Sequence, residues 1–163
     1  MERTLLLWKS PSLNKPVLID LMAAWSDEEH EYEMPYQYGA QVLNTSFEAM
    51  IETPPQVMGE KHGYQHVYRE ATGELDDKNL RFGWFNDQKF YSLTSIAQAG
   101  DQAIMARAGA NDPNFNIRRD AILIHKKAKT KNALFLSVIE PHGNYDPVSE
   151  LGEVSFSQIE TIT

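Results

Sequence analysis

The chain has 163 residues, 42% hydrophobic and 23% charged, a globular balance that excludes disorder for most of its length. Its formal net charge of −8 and pI near 5.1 argue against nucleic acid or an anionic membrane surface as a partner. It contains no cysteine, so disulfides and thiolate metal sites are excluded.

Met1 to Trp8 carries too short an apolar run for a secretory signal, and no stretch approaches the length of a membrane span. Short apolar runs bounded by turn residues then recur along the chain, the pattern of an all-β antiparallel sandwich. The expected strands are Thr4–Lys9, Pro16–Trp25, Tyr36–Leu43, Gly63–Arg69, Leu80–Phe85, Phe90–Ile96, Gln102–Ala108, Ala121–Lys127, Ala133–Glu140 and Val154–Thr161. Ile122, Leu123 and Ile124 form a continuous apolar run, which suits a strand covered on both faces. Two short helical turns are expected, at Ser26–Glu33, where Ser26 and Glu29 fit a capping box, and at Ser46–Ile51, stopped by Thr53-Pro54-Pro55. Glu52–Lys61 reads as a long inter-strand loop, and with no Pro/Gly/Ser-rich linker the whole of 1–163 is expected to be one domain.

Four groups of residues could carry function. Arg118, Arg119, Lys126, Lys127, Lys129 and Lys131 concentrate six of the fifteen basic residues within fourteen positions. The lysines suit a solvated hairpin tip whose charges prevent edge pairing. The two arginines differ, because planar guanidinium groups suit bidentate carboxylate recognition. Asn111, Asp112, Asn114 and Asn116 surround Pro113 and suit an irregular turn ordered by side-chain hydrogen bonds; they lack the order of an EF-hand loop. Glu140 and His142 flank Pro141 and form either an acid/base pair or a turn that orders the strand exit. His62 and His66 have helical metal spacing, but no following Glu completes a zinc-protease motif. The aromatic set Tyr32, Tyr36, Tyr38, Tyr64, Tyr68, Trp84, Phe85, Phe90 and Tyr91 suits sugar stacking, and equally the core of a β protein.

Four segments resemble the heparinase II/III-like polysaccharide lyases, closest to the C-terminal region of alginate and oligoalginate lyases. They are Arg3-Thr4-Leu5-Leu6; Ile19-Asp20-Leu21 leading through Ser26 to His30-Glu31-Tyr32-Glu33-Met34-Pro35-Tyr36; Gly109–Arg118; and Ser137–Gly143 with Glu150 beyond. The family more usually shows His-x-Tyr-Asp-Leu-Pro at the second, so Glu33 and Met34 are conservative departures. The resemblance implies a multidomain enzyme with an (α/α) toroid and C-terminal antiparallel β layers. Such enzymes cleave acidic, alginate-like polysaccharide or oligosaccharide by β-elimination. It implies that this chain is a β-sandwich fragment, with the upstream toroid of the same polypeptide as its partner and the catalytic residues supplied from there. It further implies a periplasmic or secreted parent. Some members hold a structural Zn²⁺, for which His30 is the best match here; the fragment itself is expected to need no cofactor.

On this reading the candidate substrate-binding residues are Arg118, Arg119, Asn111 and His142. The alternative is a stand-alone carbohydrate-binding module. A module predicts a solvent-exposed row of Trp and Tyr on one sheet face; a scaffold predicts a large apolar patch.

Overall fold

The structure, a computed structural model, describes residues 1–39, 41–109 and 118–163, and of 118 and 119 the backbone only. Ten strands among the described residues form one antiparallel sheet: β1 (Glu2–Trp8), β2 (Val17–Tyr38), β3 (Gln41–Thr45), β4 (Met50–Val57), β5 (Val67–Glu74), β6 (Asn79–Asn86), β7 (Lys89–Ile96), β8 (Gln102–Gly109), β9 (Arg118–Asp146) and β10 (Leu151–Glu153).

Two long strands make the spine. β2 and β9 pair along almost their whole length, from Leu18 opposite Ile139 to Tyr38 opposite Ala121. The other edge of β9 is shared: its first half pairs with β8 and its second half with β7. The sheet therefore divides into two limbs. One runs from the C-terminal half of β2 through β9, β8 and β5 to β4; the other runs from β1 and the N-terminal half of β2 through β9, β7 and β6 to β3. Register shifts between Trp25 and His30, and again before Tyr32, mark the bend between them, as bulges do by bending a strand and raising its twist.

The inner faces of the limbs meet in one core. Met34, Tyr36, Ala103 and Leu123 of the first limb pack with Leu80, Phe82, Trp84, Leu93 and Phe135 of the second. The result is the expected all-β, sandwich-like architecture, built from one folded sheet rather than two separate ones.

Several local expectations change. Ser26–Glu33 is strand, not helix, and the lysine run is not a hairpin tip. The cause is cross-strand pairing. Glu33 stands opposite Lys126 and Tyr32 opposite Lys127, and Lys126 bonds to Glu31 at 3.0 Å. Glu31 and Glu33 of β2 and Lys126 of β9 thus help hold the two strands in extended form. Ala121–Lys127 and Ala133–Glu140 consequently fuse into β9, which also runs through the turn expected at Pro141. Met50–Val57 forms a strand within the expected Ser46–Ile51 turn and Glu52–Lys61 loop. Its prolines fall between Ile51 and Gln56, where its pairing with β5 is interrupted, and on its other side no strand among the described residues pairs with it. Gly63–Arg69 opens with a single 3₁₀ turn at Tyr64–His66 before β5 begins. Val154–Thr161 is not strand: side chains, not a ladder, hold it. Asn79 donates to the Ile162 carbonyl at 3.0 Å and accepts from the Ile162 amide at 2.8 Å, so one amide side chain imitates a strand partner.

The outer faces of the limbs differ. On the first, Ile104, Ala106, Ile122 and Ile124 form a second core, closed by Met58 and Val67 at the base of the 58–66 connection. On the second, the C-terminal segment covers Val17 and Val138 but leaves Leu6, Leu21, Trp25 and Leu134 exposed.

Candidate functional site

The first candidate lies at the end of the sandwich where β8 ends and β9 begins. Residues two apart on a strand share a face, so Trp84 and Asn86 of β6 point inward together, with Tyr91 of β7 directly opposite Trp84. From the other limb come Tyr38 and Ala121, themselves paired across β2 and β9. Gln37, Gly39 and Asp120 complete a cleft of about 460 Å³. The Trp84 and Tyr91 rings stack at 5.4 Å with 10° between planes, and Tyr38 meets Phe82 edge-on at 4.8 Å. Burial pushes the Tyr38 phenol above its ordinary pKa, so it carries its proton at neutral pH. Gly39 fits because a Cβ there would stand 2.3 Å from the Asn86 side chain. Aromatic walls with an amide, a phenol and a carboxylate at the rim can take a ligand with apolar faces and polar edges.

The second candidate is a polar chain buried between the limbs. The His125 Nε2–H donates to Asp101 Oδ2 at 3.0 Å, and Lys127 Nζ donates to the same oxygen at 2.7 Å. His125 Nδ1 lies 3.3 Å from Ser95 Oγ; Ser137 Oγ donates to Ser95 at 2.9 Å and meets the Tyr36 hydroxyl at 2.6 Å. Burial alone raises the Asp101 carboxyl, but the bonds from His125, Lys127 and the Gln98 amide outweigh it and hold it at about 2. Burial pushes His125 below its ordinary value against the pull of Asp101, so the imidazole is neutral at pH 7. The sequence Asp–His–Ser imitates a nucleophilic triad, yet His125 and Ser95 are wholly buried. The chain joins β7, both halves of β9 and β2, and its chemistry is cohesion. Arg3 adds a bidentate pair to the buried Asp20 on the neighbouring strand, at 2.9 and 2.7 Å.

A third feature is the Tyr64 hydroxyl, which donates to Glu33 Oε2 at 2.5 Å across a cavity of about 400 Å³ floored by Ile122 and Ile124. That bond, reinforced by burial, pushes the Tyr64 phenol up to about 12.

Of the residues singled out from sequence, His142 and His30 have described side chains, and they sit on different parts of the sheet. His142 is buried near the far end of β9. Its Nε2 lies 3.0 Å from Ser92 Oγ, its Nδ1–H donates to the Val154 carbonyl at 2.7 Å, and its ring stacks on Phe90. Its neighbour Glu140 accepts from Ser157 and from the Gln158 amide, so both hold the C-terminal segment. His30 sits exposed at the bend of β2, in edge contact with Tyr32. Among the described residues no group of three or more His, Cys, Asp or Glu is placed to hold a metal ion. One imidazole does not make the four-ligand set of a structural Zn²⁺, so the described residues do not complete such a site. Asn111, Asp112, Asn114 and Asn116 lie outside the described residues, as do the side chains of Arg118 and Arg119. The cleft escaped sequence reading because Tyr38, Trp84, Tyr91 and Asp120 are scattered through the chain. Only the pairing of β2 with β9 and of β6 with β7 assembles them.

No family model matches the chain. Two curated proteins are similar to it over nearly its whole length. An exo-oligoalginate lyase of Saccharophagus degradans is 32% identical over 164 residues, covering 98% of this chain and 22% of the relative. An alginate lyase of Stenotrophomonas maltophilia is 34% identical over 161 residues, again 98% of this chain and 22% of the relative. The chain thus spans about a fifth of the length of the relatives it matches.

Proposed function

We propose that this chain is the C-terminal β-sandwich domain of a heparinase II/III-like alginate lyase, working in the periplasm or outside the cell. In that role it braces a catalytic toroid and closes one side of the substrate cleft. The similarity to two proteins named for alginate cleavage supports the family. The observation that carries the scaffold role is the outer face of the second limb. Leu6 of β1, Leu21 and Trp25 of β2 and Leu134 of β9 lie on one side of the sheet and are 38 to 57% exposed. A contiguous apolar surface flanked by covered ones marks a docking face. Leu5 and Leu7, on the opposite side of β1, are exposed as well. A stand-alone module would instead offer a row of exposed aromatics; among the described residues this face exposes Trp25 and, at its edge, Trp8, while Phe85 and Phe90 farther along it are half-buried.

β-Elimination on a uronate requires neutralisation of the C6 carboxylate, a base for the C5 proton and an acid for the departing O4. No complete set meets in one cleft among the described residues. The chain alone should therefore give no rise in ultraviolet absorbance from unsaturated product when mixed with alginate or oligoalginate, whereas the longer polypeptide should. A steady rise from the chain alone, at a rate comparable to the longer polypeptide, contradicts the proposal.

A further inference from the structure

We propose that the cleft lined by Tyr38, Trp84 and Tyr91 is a saccharide subsite that holds a pyranose ring through its hydroxyls. The choice of a sugar rests on the lyase reading above; the site itself rests on the cleft. A pyranose has two flat C–H faces and a rim of hydroxyls that both donate and accept. The cleft offers the matching surfaces. Its volume of about 460 Å³, with Tyr38, Trp84 and Tyr91 as apolar wall, lies in the range of small-molecule sites. Its rim carries Gln37 and Asn86, whose amides donate and accept, and Asp120, which accepts from two hydroxyls at once. Among the described residues none of these three rim side chains has a hydrogen-bond partner, so none is committed to holding the fold.

Among the described residues the lining does not favour a charged headgroup as the ligand. Asp120 repels an anion at the rim, and the nearest described cation on the neighbouring strand, Arg107, is paired with Glu70 at 3.1 Å. A cation would meet one carboxylate and no second charged ligand, since the rest of the lining is amide, aromatic or aliphatic. Recognition through hydroxyls predicts that a uronate ring and a neutral ring both enter and that binding depends weakly on salt. A site that reads the carboxylate would require the uronate and weaken steeply with salt.

The test is calorimetric titration of the 163-residue chain with an alginate trisaccharide and with maltotriose, at low and high ionic strength. Both sugars should bind, with little change between the two salts. Asn86→Ala and Asp120→Ala should each weaken binding about tenfold, the loss of one or two well-placed hydrogen bonds, at an unchanged melting temperature. His30→Ala, at the bend of β2, should bind as the unaltered chain does. No heat with either sugar overturns the proposal. So does binding that ignores both rim variants, or binding of alginate alone that high salt abolishes. If sugar binds while the outer apolar face proves free in the longer polypeptide, the subsite stands and the docking role falls.

Discussion

The two limbs are halves of one sheet, joined along β2 and β9, and each has apolar residues on its outer face. They treat that face differently. The first limb buries Ile104, Ile122 and Ile124 under its own 58–66 connection, which is tied down by Tyr64 donating to Glu33. The second has only the C-terminal segment, pinned by Asn79 and Glu140, and this stops short of Leu6, Leu21, Trp25 and Leu134. The same chain thus contains an example of what its folding does with an apolar outer face when nothing else is to cover it. The second limb departs from that example, and the proposed docking role takes the departure as the face a partner would cover.

The largest expected effect is on the polar chain that joins the limbs, and it breaks the comparison by loosening both at once. Asp101→Asn should cost about 3–5 kcal/mol, because Lys127 and its neighbours lose the one carboxylate they share in the interior. Acid acts on the same groups. Asp101 is held at about 2, below its unfolded value of 3.8, so its contribution is present above 3.8 and fades as pH falls toward 2. His125 is also lowered, so the unfolded chain takes its proton first and stability begins to fall below the ordinary histidine value of 6.5. Thermal melts from pH 7 downward should show both losses, and the lower one should vanish in Asp101→Asn. A melting temperature independent of pH between 7 and 3 contradicts this assignment.

A smaller effect sharpens the comparison directly. Ile124→Ala, on the covered outer face, should cost about 2–4 kcal/mol by chemical denaturation of the chain. Leu134→Ala, on the uncovered one, should stay within about 0.5 kcal/mol. Equal costs at the two sites mean that the outer faces do not differ as described.

Much of the fold was legible from local pattern. The apolar runs at 121–124 and 133–139 fall in strands, because each carries its burial in its own residues, and the run at 90–96 is strand too, with Leu93, Thr94 and Ser95 all buried. The failures share a cause. Asp27-Glu28-Glu29 reads locally as a helix start, yet it lies in the register shift between Trp25, paired with Asn132, and His30, paired with Thr130. A charge match that the spine does use, Lys126 opposite Glu33 and bonded to Glu31, was present in the sequence as a signal for it. The tail at 154–161 has strand-like residues but no strand to pair with, and Asn79, Glu140 and His142 hold it through side chains whose role no local pattern announces. For the candidate sites, aromatic residues were visible as types, whereas their meeting at one end depends on register.

The claim that the second limb's outer face docks on the rest of a lyase is open to one direct measurement. The chain has no cysteine, so Leu134→Cys introduces a single thiol on that face, and Val148→Cys places one on a turn that is 92% exposed. Maleimide labelling, read peptide by peptide by mass spectrometry, would be followed in the 163-residue chain and in the longer polypeptide. The account predicts fast labelling at both positions in the chain alone, and in the longer polypeptide protection at 134 with none at 148. Labelling at 134 that is equally fast in both contradicts it.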